Sequence, residues 1–455
     1  MIFFKNNNCF YLYVLSFMAG NSLFAMKIQS LKDLTFVRVA QYIDKQILDV
    51  KTLEVIPNEL SYDISLNLLN FQRKKEITPL IYWTQENKID LVKKIIQFDA
   101  QSINRRTSDK LSAFDYAVIN RDYKIADLLI EFGAEIEDSN KNNQYPLILY
   151  LLNYLPNEDR IKIEDLLEKI QYLYEKGASI KRFNKYGNDA LRYAIQQKIC
   201  DVAEFLINKE VDIHIPNHGG YTPLMLAAGS GVLPIIKILI EKGAEINKRM
   251  NNTKSYTALM IAIKNGWLEC VKELLNYDAD ATLLDNQGNS PIVLAAKKGR
   301  YDIVAYFLEQ DHDPNLTNNN ADTGLMYASQ KNYHRIVELL LKNNADVSKR
   351  NNQGKTAFLL AIDNGSYESA ECLIEYGADV NECDALGNTP LTIAVFNAKI
   401  PIVNLLIEAK ANINEQDSEG YTALEYAREN GLSAIEQILL KAGAQANIED
   451  YEDSE

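Results

Sequence analysis

Apolar residues along this chain recur in two kinds of short run. Leu224, Leu226 and Ala227–Ala228 form one, and Ile235, Ile236, Ile238, Leu239 and Ile240 form the other, both within Gly220–Asn247. The spacing predicts two short helices, the second apolar over most of its circumference. Thr222 can cap the first, whose first residue is Pro223, where the missing N–H of proline costs nothing. Gly231 can end that helix in the left-handed region, and Gly243 can end the second, predicted over Pro234–Lys242. Helices this apolar need copies of themselves on either side.

With Thr222 as register mark, equivalent positions are Thr78, Ser112, Tyr145, Asp189, Thr257, Ser290, Thr323, Thr356, Thr389 and Thr422. From Thr257 onward each mark lies 33 residues after the last. Five residues beyond the marks stands an alanine (Ala117, Ala194, Ala227, Ala262, Ala295, Ala328, Ala361, Ala394, Ala427), where bulk would wedge neighbouring helices apart. Trp83 and Tyr150 break this rule, so the first and third copies are expected to be less regular. Two residues beyond each mark comes a large apolar side chain, from Leu80 and Phe114 through Leu391 and Leu424. Between copies, segments such as Asp285-Asn286-Gln287-Gly288 and Asn351-Asn352-Gln353-Gly354 suit tight β-turns projecting as fingers.

A 33-residue period with a Thr-Pro-Leu start and a Gly-Ala-Asp-x-Asn finish resembles the ankyrin repeat, most closely at Gly377–Asn381 followed by Thr389-Pro390-Leu391. The resemblance spans 75–447 in eleven copies. It implies an all-α solenoid of helix pairs with β-turn fingers. The third copy carries eleven extra residues, which the polar run Pro156–Arg160 places between its two helices. The finger at Lys248–Lys254 is longer and more basic than the others.

Residues 26–74 have a different pattern. Leu31, Leu34, Val39, Ile43 and Ile47 recur at helical spacing, Pro57 breaks the chain, and Leu60–Leu69 resumes an amphipathic helix. A helical N-terminal cap over the first repeat is one reading. Ser30–Val39 is also similar to the elongin-binding box of SOCS-box proteins, with Thr35 where that family carries cysteine, and Ile56–Leu60 resembles the Leu-Pro-x-x-Leu that follows it. That resemblance implies an adaptor that recruits substrates to a ubiquitin ligase through elongin B and C, with Leu31 entering the elongin C pocket.

Residues 1–25 read as a secretory signal peptide: Lys5, the apolar run Cys9–Ala19, then Ser22-Leu23-Phe24-Ala25 before Met26. The alternative is a cytoplasmic protein starting at Met26. No later segment has the length and apolarity of a membrane span. Residues 448–455 read as an acidic tail.

A net charge of −14 argues against nucleic acid and anionic lipid as main partners. Five cysteines without CxxC spacing suggest neither a disulfide framework nor a zinc site; Cys270 and Cys372 fall on the apolar faces of second helices. The four histidines, His214, His218, His312 and His334, form no metal-binding spacing. No phosphate loop or nucleophile elbow occurs. These absences point to a non-enzymatic protein without metal or cofactor, and a monomer is expected.

The ankyrin resemblance implies that a protein partner binds the finger tips and the exposed residues of the first helices, which line a concave face. Here these are His218, Tyr221, Ser230, Tyr256, Lys264, Asn265, Asn286, Asn289, Lys297, Lys298, Asp322, Gln330 and Lys331. They continue with Gln353, Lys355, Asp363, Asn364, Leu386, Asn388, Phe396, Asn397, Glu419, Tyr421 and Glu429. The middle of this surface is basic within an acidic chain, which suits an acidic or mixed-charge partner.

Overall fold

The structure is a computed structural model that describes residues 78–136, 148, 151, 152 and 161–445, leaving aside 99, 109, 185 and 252. The predicted signal peptide (1–25), the cap or adaptor segment (26–74) with Leu31, Thr35 and Pro57, the Pro156–Arg160 run and the tail (448–455) lie outside the described residues. So do the mark Tyr145 and Tyr150. Among the described residues the protein contains 21 α-helices and no strand, divided between two compact units, 1–182 and 183–455.

In the first unit, α1 (Pro79–Gln85) pairs with α2 (Ile89–Phe98), and α3 (Ala113–Ile119) with α4 (Tyr123–Glu131). The pairs stack α1 on α3 and α2 on α4. Trp83 replaces the alanine of the other copies and is nevertheless buried, and α1 forms over its normal length. A longer helix, α5 (Ile161–Glu175), packs Tyr172 against Tyr123, ring centroids 4.4 Å apart, and the Tyr172 hydroxyl donates to Asp127 at 2.8 Å.

The second unit consists of eight consecutive pairs. These are α6 (Ala190–Gln196) with α7 (Cys200–Asn208), α8 (Pro223–Ser230) with α9 (Leu233–Glu241), and α10 (Ala258–Asn265) with α11 (Leu268–Asn276). Next come α12 (Pro291–Lys297) with α13 (Tyr301–Glu309), α14 (Gly324–Gln330) with α15 (His334–Lys342), and α16 (Ala357–Asn364) with α17 (Tyr367–Glu375). The last are α18 (Pro390–Phe396) with α19 (Ile400–Glu408), and α20 (Ala423–Glu429) with α21 (Ser433–Lys441). Each first helix touches the next first helix, and each second helix the next second helix. This is how a chain of short elements makes a continuous core.

The starts of the first helices follow from one hydroxyl. Thr222 Oγ1 accepts from the Met225 N–H at 3.3 Å, satisfying a donor the helix cannot satisfy itself, and Thr257, Thr323, Thr356, Thr389 and Thr422 do the same. Ser290 holds the register but makes no such bond, and its buried Oγ is without a hydrogen-bond partner. The alanines Ala194, Ala227, Ala262, Ala295, Ala328, Ala361, Ala394 and Ala427 are completely buried between helices. Second helices end in the left-handed region at Gly243 (φ 87°), Gly377 and Gly443, and at Asp278 and Asn344, as read from the sequence. The same conformation occurs at Asp311, an aspartate like Asp278, and at Glu210 (φ 57°) and Lys410 (φ 63°), where no residue type announces it.

Candidate protein-binding surface

Most fingers of the second unit are folded by one Asx side chain. Asp285 Oδ1 accepts from the backbone N–H of Gln287 at 2.8 Å and of Asn289 at 2.9 Å. Asn217, Asn318, Asn351, Asp384 and Asp417 repeat this geometry, the local hydrogen bonding that favours Asx residues in turns. Neighbouring fingers are tied by side-chain amides: Asn217 donates to Asn188 at 2.9 Å, Asn318 to Asn289 at 3.1 Å, and Asn351 to Asp322 at 2.9 Å. Backbone bonds add to them, from Asn319 N–H to the Gln287 carbonyl and from Asn352 N–H to the Asn320 carbonyl.

This ladder corrects one expectation. Asn289 is not an exposed binding residue: it is completely buried, donating to Asp285 at 2.9 Å and accepting from Asn318. A buried amide is retained because its partners are present, and here they come from its own finger and the next.

The other expected positions lie along the fingers and the C-terminal ends of the first helices. His218, Asn286, Lys298, Lys331, Asn364, Phe396 and Tyr421 are exposed; Tyr221, Ser230, Tyr256, Lys264, Lys297, Gln330, Lys355 and Asn388 are half-buried. Several are already engaged. Asn265 donates to the Gly229 carbonyl at 2.7 Å, Asn286 to the Thr253 carbonyl, Asn364 to the Leu360 carbonyl, and Asn388 to Asp384. Lys355 pairs with Asp363 at 2.5 Å. Lys297 donates to Gln287 at 2.9 Å and to the Tyr327 hydroxyl at 3.0 Å, and burial pulls its ammonium below the usual lysine range. Lys264 is lowered likewise, by burial first and then by the nearby charges of Lys254 and Lys298.

Four repeats beyond Lys264, toward the end of the unit, the chemistry changes. Leu386 is 71% exposed and Phe396 67%, among the largest apolar surfaces left open by the fold. Phe396 stands edge-on to Tyr426 with ring centroids 6.2 Å apart, Tyr421 lies 5.4 Å from Tyr426, and the Ser418 hydroxyl donates to the Leu386 carbonyl.

Sequence reasoning missed the tyrosines that hold this face. Tyr193, Tyr327 and Tyr426 each follow their mark by four residues and meet the Asx residue that opens their finger. Asn184 donates to the Tyr193 hydroxyl at 2.9 Å, Asn318 to that of Tyr327 at 2.8 Å, and the Tyr426 hydroxyl donates to Asp417 at 2.6 Å. Burial pushes the Tyr327 hydroxyl up to about 12, and the bond to Asp417 raises that of Tyr426. The recurrence of tyrosine nine residues after an Asx was the signal available.

A second omission is Arg192, completely buried, paired with Asp189 at 2.6 Å and donating also to the Ile215 carbonyl. Asp189 had been read only as a register mark. Cys270 is buried as anticipated, whereas Cys372 is half-buried; burial pushes both thiols up to about 11, so both are poor nucleophiles at neutral pH. Among the described residues no group of His, Cys, Asp and Glu could hold a metal ion, and no helix is long and apolar enough to cross a membrane.

Stacked helix pairs with ladder-bonded fingers define a helical repeat protein that presents finger tips and helix ends. The family model for ankyrin repeats matches residues 161–250, 247–318, 306–384 and 377–450, and the chain belongs to the ankyrin repeat family. Among curated relatives, Delta-latroinsectotoxin-Lt1a of Latrodectus tredecimguttatus is 37% identical over 87 residues, 18% of this chain and 7% of that protein. A putative ankyrin repeat protein of Rickettsia felis is 26% identical over 193 residues, 37% of this chain and 50% of that one. The chain thus spans half or less of the length of these relatives. The crystal structure of the human ASB11 ankyrin repeat domain matches half of this chain and all of its own, at 26% identity and a TM-score of 0.45. Ankyrin repeats are protein-interaction modules, and this chain is built of them.

Proposed function

We propose that this protein is a non-enzymatic scaffold that binds a protein partner on the fingers and first-helix ends of its second unit. The observation that carries the reading is the pair Leu386 and Phe396, 71% and 67% exposed on the face formed by the fingers and first-helix ends. Large exposed apolar side chains next to ordered backbone are typical anchors of protein interfaces. A photocrosslinking amino acid at position 298, on this face, should capture a protein partner in the native source. The same probe at Lys237, exposed on second helix α9, should not. Equal capture at both positions, or capture at 237 alone, would move the site off the fingers.

The protein is proposed to be exported, on the strength of Lys5, Cys9–Ala19 and Ser22–Ala25. The second reading, a substrate-recruiting adaptor of a ubiquitin ligase, draws support from Ser30–Val39 and Ile56–Leu60.

A further inference from the structure

Seven residues beyond the register mark, at the last or next-to-last position of six successive first helices, stand Lys264, Lys297, Gln330, Asp363, Phe396 and Glu429. This row changes character along the unit. Its early part is cationic: Lys298 and Lys331 stand exposed one residue further on, and among the described residues neither they nor Lys264 have a carboxylate in salt-bridge range. Lys297 is committed to Gln287 and Tyr327, so it shapes the surface more than it offers charge. Asp363, midway, is neutralised by Lys355 and also accepts from Asn397 at 3.1 Å. The far part is aromatic with an anionic rim: Phe396 and Tyr421 gather on Tyr426, Leu386 projects at the tip, and Glu419 and Glu429 are exposed beside them.

A partner that satisfies this row must itself be polarised, because like charges juxtaposed across an interface repel and an apolar anchor needs a dry seat. The separation of its two ends follows from geometry. From α12, which ends at Lys297, to α18, which ends at Phe396, are three helix-to-helix steps. At roughly 8–10 Å per step that is about 24–30 Å. An extended chain rises about 3.3 Å per residue and covers it with about eight residues.

We propose that the surface takes one extended segment of a partner protein, with a cluster of carboxylates over Lys264, Lys298 and Lys331 and a large apolar side chain over Leu386, Phe396 and Tyr421. About eight residues separate the two, and a Lys or Arg beside the apolar residue faces Glu419 and Glu429. This rests on the binding face proposed above and adds the chemistry and polarity of its occupant.

The test uses the full chain and synthetic fluorescent peptides carrying Glu-Glu-Glu at one end and Leu-Trp-Arg-Arg at the other, made in both chain directions. Neutral spacers of four, eight and twelve residues separate the ends, and binding is read by anisotropy. In one direction the eight-residue spacer should bind about tenfold tighter than the four, with no further gain at twelve, since a linker too short to span two sites forfeits the second. K298E/K331E and F396A should each weaken that peptide about tenfold and erase the advantage over the short spacer, while K237E changes nothing. Equal binding by all spacers, with K298E/K331E and F396A still effective, overturns the polarised occupant and leaves the face standing. Binding indifferent to those substitutions overturns the face as well, and no binding by any peptide overturns the polarised occupant. Thermal melts of the variants, which alter only exposed side chains, should match that of the parent protein.

Discussion

Ala295 has no exposed surface where α12 meets the first helices before and after it, and Ala262 and Ala328 stand at the same place on those neighbours. A leucine at 295 adds bulk at this fully buried helix contact, so Ala295→Leu should destabilise the protein by about 1–3 kcal/mol through overpacking, measured by urea unfolding. A neutral result would show that the register assigned to the pairs is wrong. Asn289 acts at the same scale through polarity. Asn289→Ala removes the acceptor for Asn318 and a donor to Asp285, and should cost about 1–2 kcal/mol in the same measurement. The alanine row was legible in the sequence because close helix packing admits one size at one spacing. The burial of Asn289 was not, because an Asn next to a turn is exposed or buried according to whether the following finger closes over it. That finger is 29 residues away.

At the scale of the element, helix ends are where this fold holds or stores strain. Gly231 ends α8 at φ 74°, and a Cβ there would lie 2.6 Å from the Trp267 ring, so Gly231→Ala should both strain the backbone and displace the indole. Lys410 ends α19 at φ 63° with a full side chain, in a conformation that L-residues other than glycine adopt at a cost. Lys410→Gly should therefore raise the urea midpoint, by about 0.5–1 kcal/mol of stability, while Gly231→Ala lowers it. A destabilised Lys410→Gly would mean that the lysine stem contributes more than its backbone strain. The helix starts were readable from Thr and Pro, whose preferences are local. The ends at Glu210 and Lys410 were hidden, because packing of the pair compels the conformation whatever residue stands there.

For the whole molecule, the open questions concern how the array is delivered and what it joins. If residues 1–25 are removed on export, protein from its natural source should start at or near Met26 and be found outside the cytoplasm, as N-terminal sequencing of fractionated material can show. A cytoplasmic product retaining Cys9 would refute export, and one starting at Met26 inside the cell would favour the alternative start. The adaptor reading predicts that residues 26–455 bind elongin B and C and that Leu31→Ala weakens that binding by about 2 kcal/mol, the share an aliphatic anchor commonly carries. No binding by the unsubstituted protein would leave these residues as a cap on the first repeat.

Thr222, Ala227, Gly231 and their equivalents determined the architecture by themselves, because capping, close approach and left-handed termination are decided within a few residues and the period multiplies each signal. The exposed row from Lys264 to Phe396 was likewise in place once the period was known. Which of its members remain available was decided only by the folded chain. Asn289 is taken by its neighbouring finger, Lys297 by Tyr327, and Lys355 by Asp363, whereas Lys298, Lys331 and Phe396 are left facing solvent. These pairings join side chains far apart in sequence, and a local pattern carries no information about which one reaches first.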